Sequence, residues 1–365
     1  MVTAGLDRRF VYPVTMLNLD WKAAGSPAEV LQALSEHRLL PVAGLLAERG
    51  LLRRDLVPLA EQLAAKRVNE AAERGAVEAE VFEALSRQGV RTLVLKGALL
   101  ARTVYPAPEA RIRSDLDVLV ASESVEDACA ALWGIGFAPS YEVHGGPPMT
   151  QAQWIRRGDS PIHAVDLHWD LSNRPLLKDR FVFEGLLERA QDVLGHGHEV
   201  SGLGAEDALL HACVHYFGHH RGEFRPDQWL LDMDLLWRSL DEGAAERLAN
   251  GALSLRIGSL VAEGLRLSGE RFDTPIENEW LDRIQRAARR ESAQRLIRPP
   301  RFKGFEILRN ASEERGIAAG FRHLRGTLFP SVAYMRRKYP GAPKWALPWL
   351  YVRRIWDGRN RQTLG

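Results

Sequence analysis

Two aspartates separated by one residue, Asp115 and Asp117, occur in a segment that alternates polar and apolar side chains at its start. This alternation predicts a half-buried strand, and residues two apart on a strand leave the same face of a sheet. Two neighbouring carboxylates repel each other unless a cation lies between them. Mg²⁺ suits that position, because it takes oxygen ligands and usually joins carboxylates to substrate phosphates. The alternative is that Asp115 caps a turn and Asp117 faces water.

A second alternating segment, residues 164–170, carries a candidate third carboxylate. Asp166, His168 and Asp170 share one face if this segment is a strand. Asp166 is predicted to be a metal ligand, together with Asp115 and Asp117, or the base that deprotonates an attacking hydroxyl. His168 is predicted to hold a phosphate or to orient Asp166. An ordinary hydrogen-bonded structural histidine is the alternative for His168.

Residues suited to phosphate binding lie upstream of the aspartates. Lys96 and Gly97 follow a predicted strand, and Arg111, Arg113 and Ser114 directly precede Asp115. Arginines and the backbone amides of such a loop can hold phosphate oxygens. The chain contains no Gly-x4-Gly-Lys-Ser/Thr motif and no paired-glycine motif for dinucleotides after a strand. The predicted phosphate site therefore belongs to a different class.

The order of these motifs resembles the signature of a bacterial family of uncharacterised nucleotidyltransferases, within the DNA polymerase beta-like nucleotidyltransferase superfamily. The resemblance covers about residues 30–300, and its most specific parts are Lys96-Gly97, Arg111, Asp115-x-Asp117 and Asp166-x-His168-Trp169. It implies that Gly97 belongs to the phosphate-cradling turn, Asp115 and Asp117 to the metal-binding pair, and Asp166 to the third carboxylate position. The usual turn of the superfamily is Gly-Gly or Gly-Ser. Lys96 is therefore a candidate for binding the phosphate that backbone amides bind in other members of the superfamily.

The resemblance implies a Mg²⁺-dependent nucleotidyltransferase, with Mn²⁺ as the alternative ion. Such an enzyme moves a nucleoside monophosphate from a nucleoside triphosphate to a hydroxyl and releases pyrophosphate. The acceptor stays open between a small molecule, a peptide and tRNA. Two other functions use the same residues: a non-catalytic nucleotide-binding partner protein of a biosynthetic complex, and a metal-dependent phosphohydrolase.

The surrounding pattern predicts an α+β fold, with a small mixed β-sheet nucleotidyltransferase core flanked by N-terminal and C-terminal helical regions. Strands are expected at residues 90–95 and 115–120 and in a hairpin formed by residues 154–157 and 162–169. Helices are expected at residues 58–88, 98–104 and 124–133, and from residue 205 to about residue 328. Gly75 could split the first of these helices, and Gly89 is expected to end it. The predicted divisions are an N-terminal helical region (1–89), the core (90–200), a C-terminal helical domain (201–328) and a basic, aromatic, less regular tail (329–365).

One predicted helix carries His211, His215 and His219 at helical spacing. This spacing allows a zinc site on one face of the helix, but no His-Glu-x-x-His pattern accompanies it. The sequence instead favours a polar contact of His215 facing the cleft. Asp232 lies on the next apolar helix. It is expected to have a structural role, with a place at the border of the acceptor pocket as the alternative.

Composition and charge limit the remaining possibilities. With 365 residues and only two cysteines, a disulfide scaffold is excluded and a cytoplasmic location is expected. No segment has the length and apolar character of a transmembrane helix. Residues 281–365 carry 20 Lys and Arg against 6 Asp and Glu, whereas residues 1–280 carry 29 against 41. The basic quarter is a candidate surface for nucleic acid or an anionic membrane; the alternative is that its aromatic residues pack against the acidic remainder.

Overall fold

The computed structural model describes residues 32, 34–35, 38–39, 57–140, 150–158, 163–193, 200–218, 225–297, 303–314, 316–330 and 332–360. Most of the first half of the predicted N-terminal helical region lies outside these residues. His219 of the predicted histidine helix also lies outside them.

A mixed seven-stranded sheet forms the centre of the described chain, in the order β3-β4-β5-β2-β1-β7-β6. Its strands are β1 (Thr92–Val94), β2 (Leu116–Val120), β3 (Ala138–Pro139), β4 (Gln151–Arg156), β5 (His163–His168), β6 (Gln191–Val193) and β7 (Val200–Gly202). The pairs β2–β5 and β1–β7 are parallel, and the other neighbouring pairs are antiparallel. Helices precede and follow this sheet, so the predicted α+β fold is confirmed. The division into four regions stays a prediction.

Helices account for most of the remaining described chain. They are α1 (Val57–Arg87), α2 (Lys96–Thr103), α3 (Val125–Gly134), α4 (Phe183–Glu188), α5 (Ala205–Gly218), α6 (Gln228–Ser239), α7 (Ala244–Ser254), α8 (Gly258–Phe272), α9 (Asn278–Ala287), α10 (Gln294–Ile297), α11 (Lys303–Glu313), α12 (Ile317–Leu328), α13 (Val332–Lys338) and α14 (Leu347–Asn360). Within the described residues, none of them combines the length and apolar character that crossing a bilayer requires.

The long helix α1 shows how local sequence sets an element's end. It continues through Gly75 without a break, so the predicted split there is wrong. It stops as predicted at Gly89, which has φ +68°. The N–H of Gly89 donates to the carbonyl of Ser86, and that of Val90 to the carbonyl of Leu85. This pair of bonds satisfies the last carbonyls of the helix, and glycine adopts the left-handed conformation at little cost.

The tail after residue 329 is more regular than predicted. It contains α13 and α14, and the prolines that suggested irregular structure lie between or at the start of helices. Pro348 is the second residue of α14, where a proline removes no intrahelical hydrogen bond. The tail is therefore more helical than the expectation of a less regular segment, because prolines in the first turn are compatible with a helix.

One hydrophobic core joins the sheet to the helices that follow it. Leu93, Val118 and Leu167 are fully buried in the central strands, and Met233 and Leu265 are fully buried where α5, α6 and α8 pack together. The sheet therefore lies on a rigid helical support, which fixes the position of residues at the ends of its strands.

Gly204 is predicted to be required at the junction between β7 and α5. A Cβ at this position would lie 2.3 Å from the carbonyl oxygen of Arg189, whereas nothing lies within 4 Å of a Cβ at Gly134. Gly204→Ala should lower the free energy of unfolding by about 1–3 kcal/mol through overpacking. Urea denaturation compares it with Gly134→Ala, and equal effects of the two substitutions would contradict this steric account.

Candidate active site

Two carboxylates face each other across neighbouring parallel strands. Asp117 of β2 is paired in register with Asp166 of β5, so their side chains leave the same face of the sheet. Asp117 is buried and Asp166 is half-buried. Asp115 directly precedes β2, whose first residue is Leu116. The predicted strand therefore begins one residue later than expected, and Asp115 lies at its entrance.

Two donors compensate the charge of Asp117 at a single oxygen. The Nζ atom of Lys96 lies 2.6 Å from Oδ1 of Asp117, and Nε2 of His168 lies 2.9 Å from the same oxygen. Burial alone would raise the pKa of Asp117, but the Lys96 ammonium and the hydrogen bond from His168 hold this pKa well below its usual range. Asp117 is therefore an ionised carboxylate with a lysine as its built-in counter-ion.

Among the described residues, no cation forms an ion pair with Asp166 like that between Lys96 and Asp117. Burial, followed by the negative charges of Asp117 and Asp115, raises the pKa of Asp166 to about 6. Its Oδ1 atom is buried and accepts no hydrogen bond from the described residues. An unsatisfied acceptor beside an ionised carboxylate is costly. A cation between Asp117 and Asp166 would satisfy it.

The described residues contain one group of side chains suited to holding a metal ion. It consists of Asp117, Asp166 and His168, whose donor atoms lie within 4.8 Å of one another. Burial, followed by the charge of Lys96, lowers the pKa of His168, which favours the neutral form of the imidazole. Asp115 is not a member of this group, so its predicted role as a metal ligand stays a prediction.

The Lys96-Gly97 turn brings the basic residues close to the carboxylates. Lys96 has φ +41°, an uncommon conformation for a residue with a side chain, and such strain is concentrated at functional sites. A Cβ at Gly97 would lie 2.7 Å from Nη1 of Arg111 and 3.1 Å from Cβ of Arg113. Only glycine therefore lets α2 approach both arginines this closely.

Both predicted phosphate-binding arginines are held by buried acids. Arg111 donates from Nε and Nη2 to the two oxygens of Asp232 at 2.8 and 2.6 Å, and the hydroxyl of Tyr105 donates to the same carboxylate at 2.8 Å. Arg113 is paired with the buried Glu78. These ion pairs give both arginines fixed positions. Phosphate binding by these arginines stays a prediction. It would use the guanidinium N–H groups that do not bind Asp232 or Glu78.

Helix α6 holds the loop that carries these arginines. The side chain of Gln228 accepts a hydrogen bond from the N–H of Ile112 at 3.1 Å and donates to its carbonyl at 2.8 Å. Together with the bond between Asp232 and Arg111, this clamps residues 111–113 to the helical part of the chain. Asp232 therefore has a structural role, although its partners are Arg111 and Tyr105 and not the histidine helix to which a hydrogen bond was predicted. The sequence contains no signal for Gln228, because a lone glutamine carries no motif.

All nine predicted site residues line one cavity of about 610 Å³, a volume within the usual range for small-molecule sites: Lys96, Gly97, Arg111, Arg113, Ser114, Asp115, Asp117, Asp166 and His168. Residues that sequence reasoning missed complete its walls: Gln151, Asn173, Arg174, Trp229, Asn310 and His323. They are isolated polar or aromatic residues on separate elements, so no local spacing distinguishes them.

The helix with regularly spaced histidines, α5, contributes His215 to the wall of the cavity. Burial, followed by the charge of Lys96, lowers the pKa of His211 to about 3. His215 lines the cavity, and its ring lies 4.7 Å from the ring of Trp229. In the part of the chain that the structure describes, these histidines belong to no group of three metal-ligating side chains. The interpretation of His215 as a residue facing the cleft is the one that agrees with this geometry.

Asp170 does not share the face of Asp166 and His168. Strand β5 ends at His168, and the carboxylate of Asp170 accepts the N–H of Ser172 at 3.3 Å and that of Asp179 at 2.8 Å. The expectation that this residue continues the strand is wrong. Asp170 instead stabilises the loop after β5.

The buried pair of Arg111 and Asp232 is predicted to be the main link between core and helices. Asp232→Ala should lower the free energy of unfolding by about 3–5 kcal/mol, because it leaves the arginine charge buried without a partner. Glu184→Ala is the control, since Glu184 pairs with Arg91 on the surface and its loss should change little. Urea denaturation measures both variants, and an Asp232→Ala variant as stable as Glu184→Ala would contradict this role.

Comparison with known protein families gives a match over most of the chain. The sequence model of a family described as "Uncharacterised nucleotidyltransferase" matches residues 24–273. A search of curated proteins finds no match. The matched range contains the whole sheet and all nine predicted site residues.

Proposed function

The chain belongs to the family of uncharacterised nucleotidyltransferases, and we propose that it transfers a nucleoside monophosphate from a nucleoside triphosphate to a hydroxyl of an acceptor. The acceptor oxygen forms a bond to the α-phosphorus, the bond from this phosphorus to the bridging oxygen breaks, and pyrophosphate leaves. The observation that carries the proposal is the pair of Asp117 and Asp166, which face each other in a cavity that also contains cationic side chains.

The carboxylates are proposed to hold a divalent cation. Mg²⁺ takes oxygen ligands, so Asp117 and Asp166 would bind it, Asp115 would lie beside it, and His168 would keep Asp117 in position. Mn²⁺ is the alternative ion. When bound, the cation neutralises charge on the triphosphate and on the leaving group. The unsatisfied Oδ1 atom of Asp166 supports this assignment, because such an atom is where a ligand bond is missing.

Lys96 is proposed to change partners when the donor nucleotide binds. Its ammonium lies on Oδ1 of Asp117, a residue that would also hold the proposed cation. Lys96 would then be available to bind phosphate oxygens in the same cavity. Gly97 leaves room for the turn and for the arginines beside it. Arg111, Arg113 and Ser114 are proposed to contact phosphate oxygens from the other side.

The proton of the acceptor hydroxyl is proposed to pass to a carboxylate. Asp166 is the candidate base in the alternative arrangement in which it does not hold the cation, because it lies in the same cavity and a positioned carboxylate can accept a hydroxyl proton. The acceptor is proposed to lie against the helical wall that includes His215, Trp229 and Asn310. A helical wall on this side of the cavity favours a small or medium-sized acceptor over a long polymer.

One observation favours a second candidate function. Lys96 already compensates Asp117, so part of the site is electrically satisfied without a metal ion. A nucleotide-binding partner protein without turnover, serving a biosynthetic complex, would need no more than this. Production of pyrophosphate in the presence of an acceptor separates the two functions.

Asp166→Asn is predicted to separate binding from stability. The amide cannot act as an anionic ligand, so Mg²⁺-dependent triphosphate binding should weaken by about 100-fold or more, as expected for the loss of a ligand rather than of an outer partner. The free energy of unfolding in the absence of metal should stay the same or rise by about 1 kcal/mol, because repulsion from Asp117 is removed. Calorimetric titration and urea denaturation measure the two effects.

Asp170→Asn is the matched control, since Asp170 follows the same strand and, within the described residues, its carboxylate accepts hydrogen bonds from Ser172 and Asp179 of the following loop. It should leave nucleotide binding near the wild-type value. A strong loss of stability in Asp166→Asn, with nucleotide binding retained, would contradict the proposed metal site and would make Asp166 a structural residue.

Lys96→Ala is predicted to weaken binding of a triphosphate by about tenfold or more and binding of the corresponding monophosphate much less, since the lost charge-assisted bonds are to the β- and γ-phosphates. Binding of Mn²⁺ alone should become tighter, because the ammonium no longer competes for Asp117. Calorimetry with the tri- and monophosphates tests the first effect. Equal losses for both nucleotides would count against a contact of Lys96 with the outer phosphates.

A further inference from the structure

Helix α12 has its small residues inside and its large apolar residues outside. Gly320 and His323 are buried on the side facing α11, and a Cβ at Gly320 would lie only 2.4 Å from the carbonyl oxygen of Ala311. The side chains of Ile317 and Phe321 are 95% and 68% exposed. The usual amphipathic arrangement of a surface helix is therefore reversed.

Exposed apolar residues also occur on helix α14 and directly before it. Trp345, Trp349 and Val352 are spaced by four and three residues, and their side chains are 78%, 73% and 57% exposed. Trp349 and Val352 lie on one side of α14 at this spacing, and Trp345 lies in the short 3₁₀ turn Lys344–Ala346 directly before the helix. The expectation that the tail buries its aromatic residues is wrong for these two tryptophans.

The other side of α14 attaches it to the end of α12. The hydroxyl of Tyr351 donates to the carbonyl of Pro330 at 2.6 Å, and Arg354 donates to the carbonyl of Thr327 at 2.8 Å. The rings of Phe329 and Tyr351 also lie 5.9 Å apart. The exposed apolar residues are thus carried by helices that are anchored to each other.

Positive charge surrounds these apolar residues. Residues 317–360 contain nine Lys and Arg and a single acidic residue, Asp357. Exposed members of this set occur on each of the three helices: Arg322, Arg325, Arg336, Lys338 and Arg353. Basic side chains of this density attract anionic lipid headgroups.

We propose that helices α12 to α14 form a surface, here called the C-terminal surface, that binds an anionic lipid membrane peripherally. Ile317, Phe321, Trp345, Trp349 and Val352 enter the boundary between headgroups and acyl chains, where tryptophan and aliphatic side chains gain apolar contact. The surrounding Lys and Arg bind the anionic headgroups. The proposal is independent of the reaction in the cavity.

The chemistry of the C-terminal surface favours lipid over two other partners. Single-stranded nucleic acid is bound through aromatic faces that stack on bases, whereas Ile317 and Val352 are aliphatic and offer no such face. A second copy of the chain would bring the same positive charge to the contact and be repelled. Lipid supplies both an apolar phase and negative charge.

Flotation of the full chain with vesicles tests the proposal. Wild-type protein should float with vesicles of phosphatidylcholine containing about 30% phosphatidylglycerol and only weakly with phosphatidylcholine alone. Trp345→Ser combined with Trp349→Ser should weaken this binding by about tenfold or more. Trp133→Ser is the matched control, because Trp133 is similarly exposed but lies on α3; it should bind like the wild type.

Ile317→Ser combined with Phe321→Ser provides a second test on another helix, with the same expected loss and an unchanged melting temperature. Failure of the wild type to float with anionic vesicles would overturn the proposal. Normal vesicle binding by both double variants would also overturn it. So would binding of single-stranded RNA to a wild-type protein that does not bind vesicles, if the serine substitutions at Trp345 and Trp349 weakened the RNA binding.

Discussion

The structure of the site depends on the repulsion between Asp117 and Asp166. The parallel pairing of β2 and β5 places these two carboxylates opposite each other. A sheet gives these two carboxylates no freedom to separate, so the chain must supply positive charge. Lys96 supplies it to Asp117, and Asp166 is left with a raised pKa and an unsatisfied oxygen. The electrostatic repulsion between the two carboxylates destabilises the free protein, and a bound cation would remove this repulsion.

The remainder of the site positions groups around this pair. Gly97 allows α2 to lie against two arginines, and each arginine is fixed by a buried acid rather than left mobile. Because Asp232 and Gln228 belong to α6, the loop before β2 is joined to the helices that form the far wall of the cavity. The proposed binding sites for the donor nucleotide and the acceptor therefore have fixed positions relative to each other. Such positioning of two substrates lowers the barrier of a transfer reaction.

The parts of the fold and of the site that depend on local periodicity could be predicted from the sequence. Alternation predicted the strands that carry Asp117 and Asp166, and glycine chemistry predicted the end of α1 at Gly89. Prediction from the sequence failed where a result depends on distant contacts. The bond between Lys96 and Asp117 joins residues 21 positions apart, and the exposure of Trp349 depends on which face of α14 packs on α12. Neither is encoded in local spacing.

The central claim is that Asp117 and Asp166 together bind a divalent cation with the nucleotide. Electron paramagnetic resonance of Mn²⁺ measures this most directly, because the signal of the free ion falls when the ion binds. We predict that wild-type protein, added to Mn²⁺ and a nonhydrolysable triphosphate, lowers the free-ion signal further than the triphosphate alone does. A free-ion signal that is unchanged by the protein would contradict it.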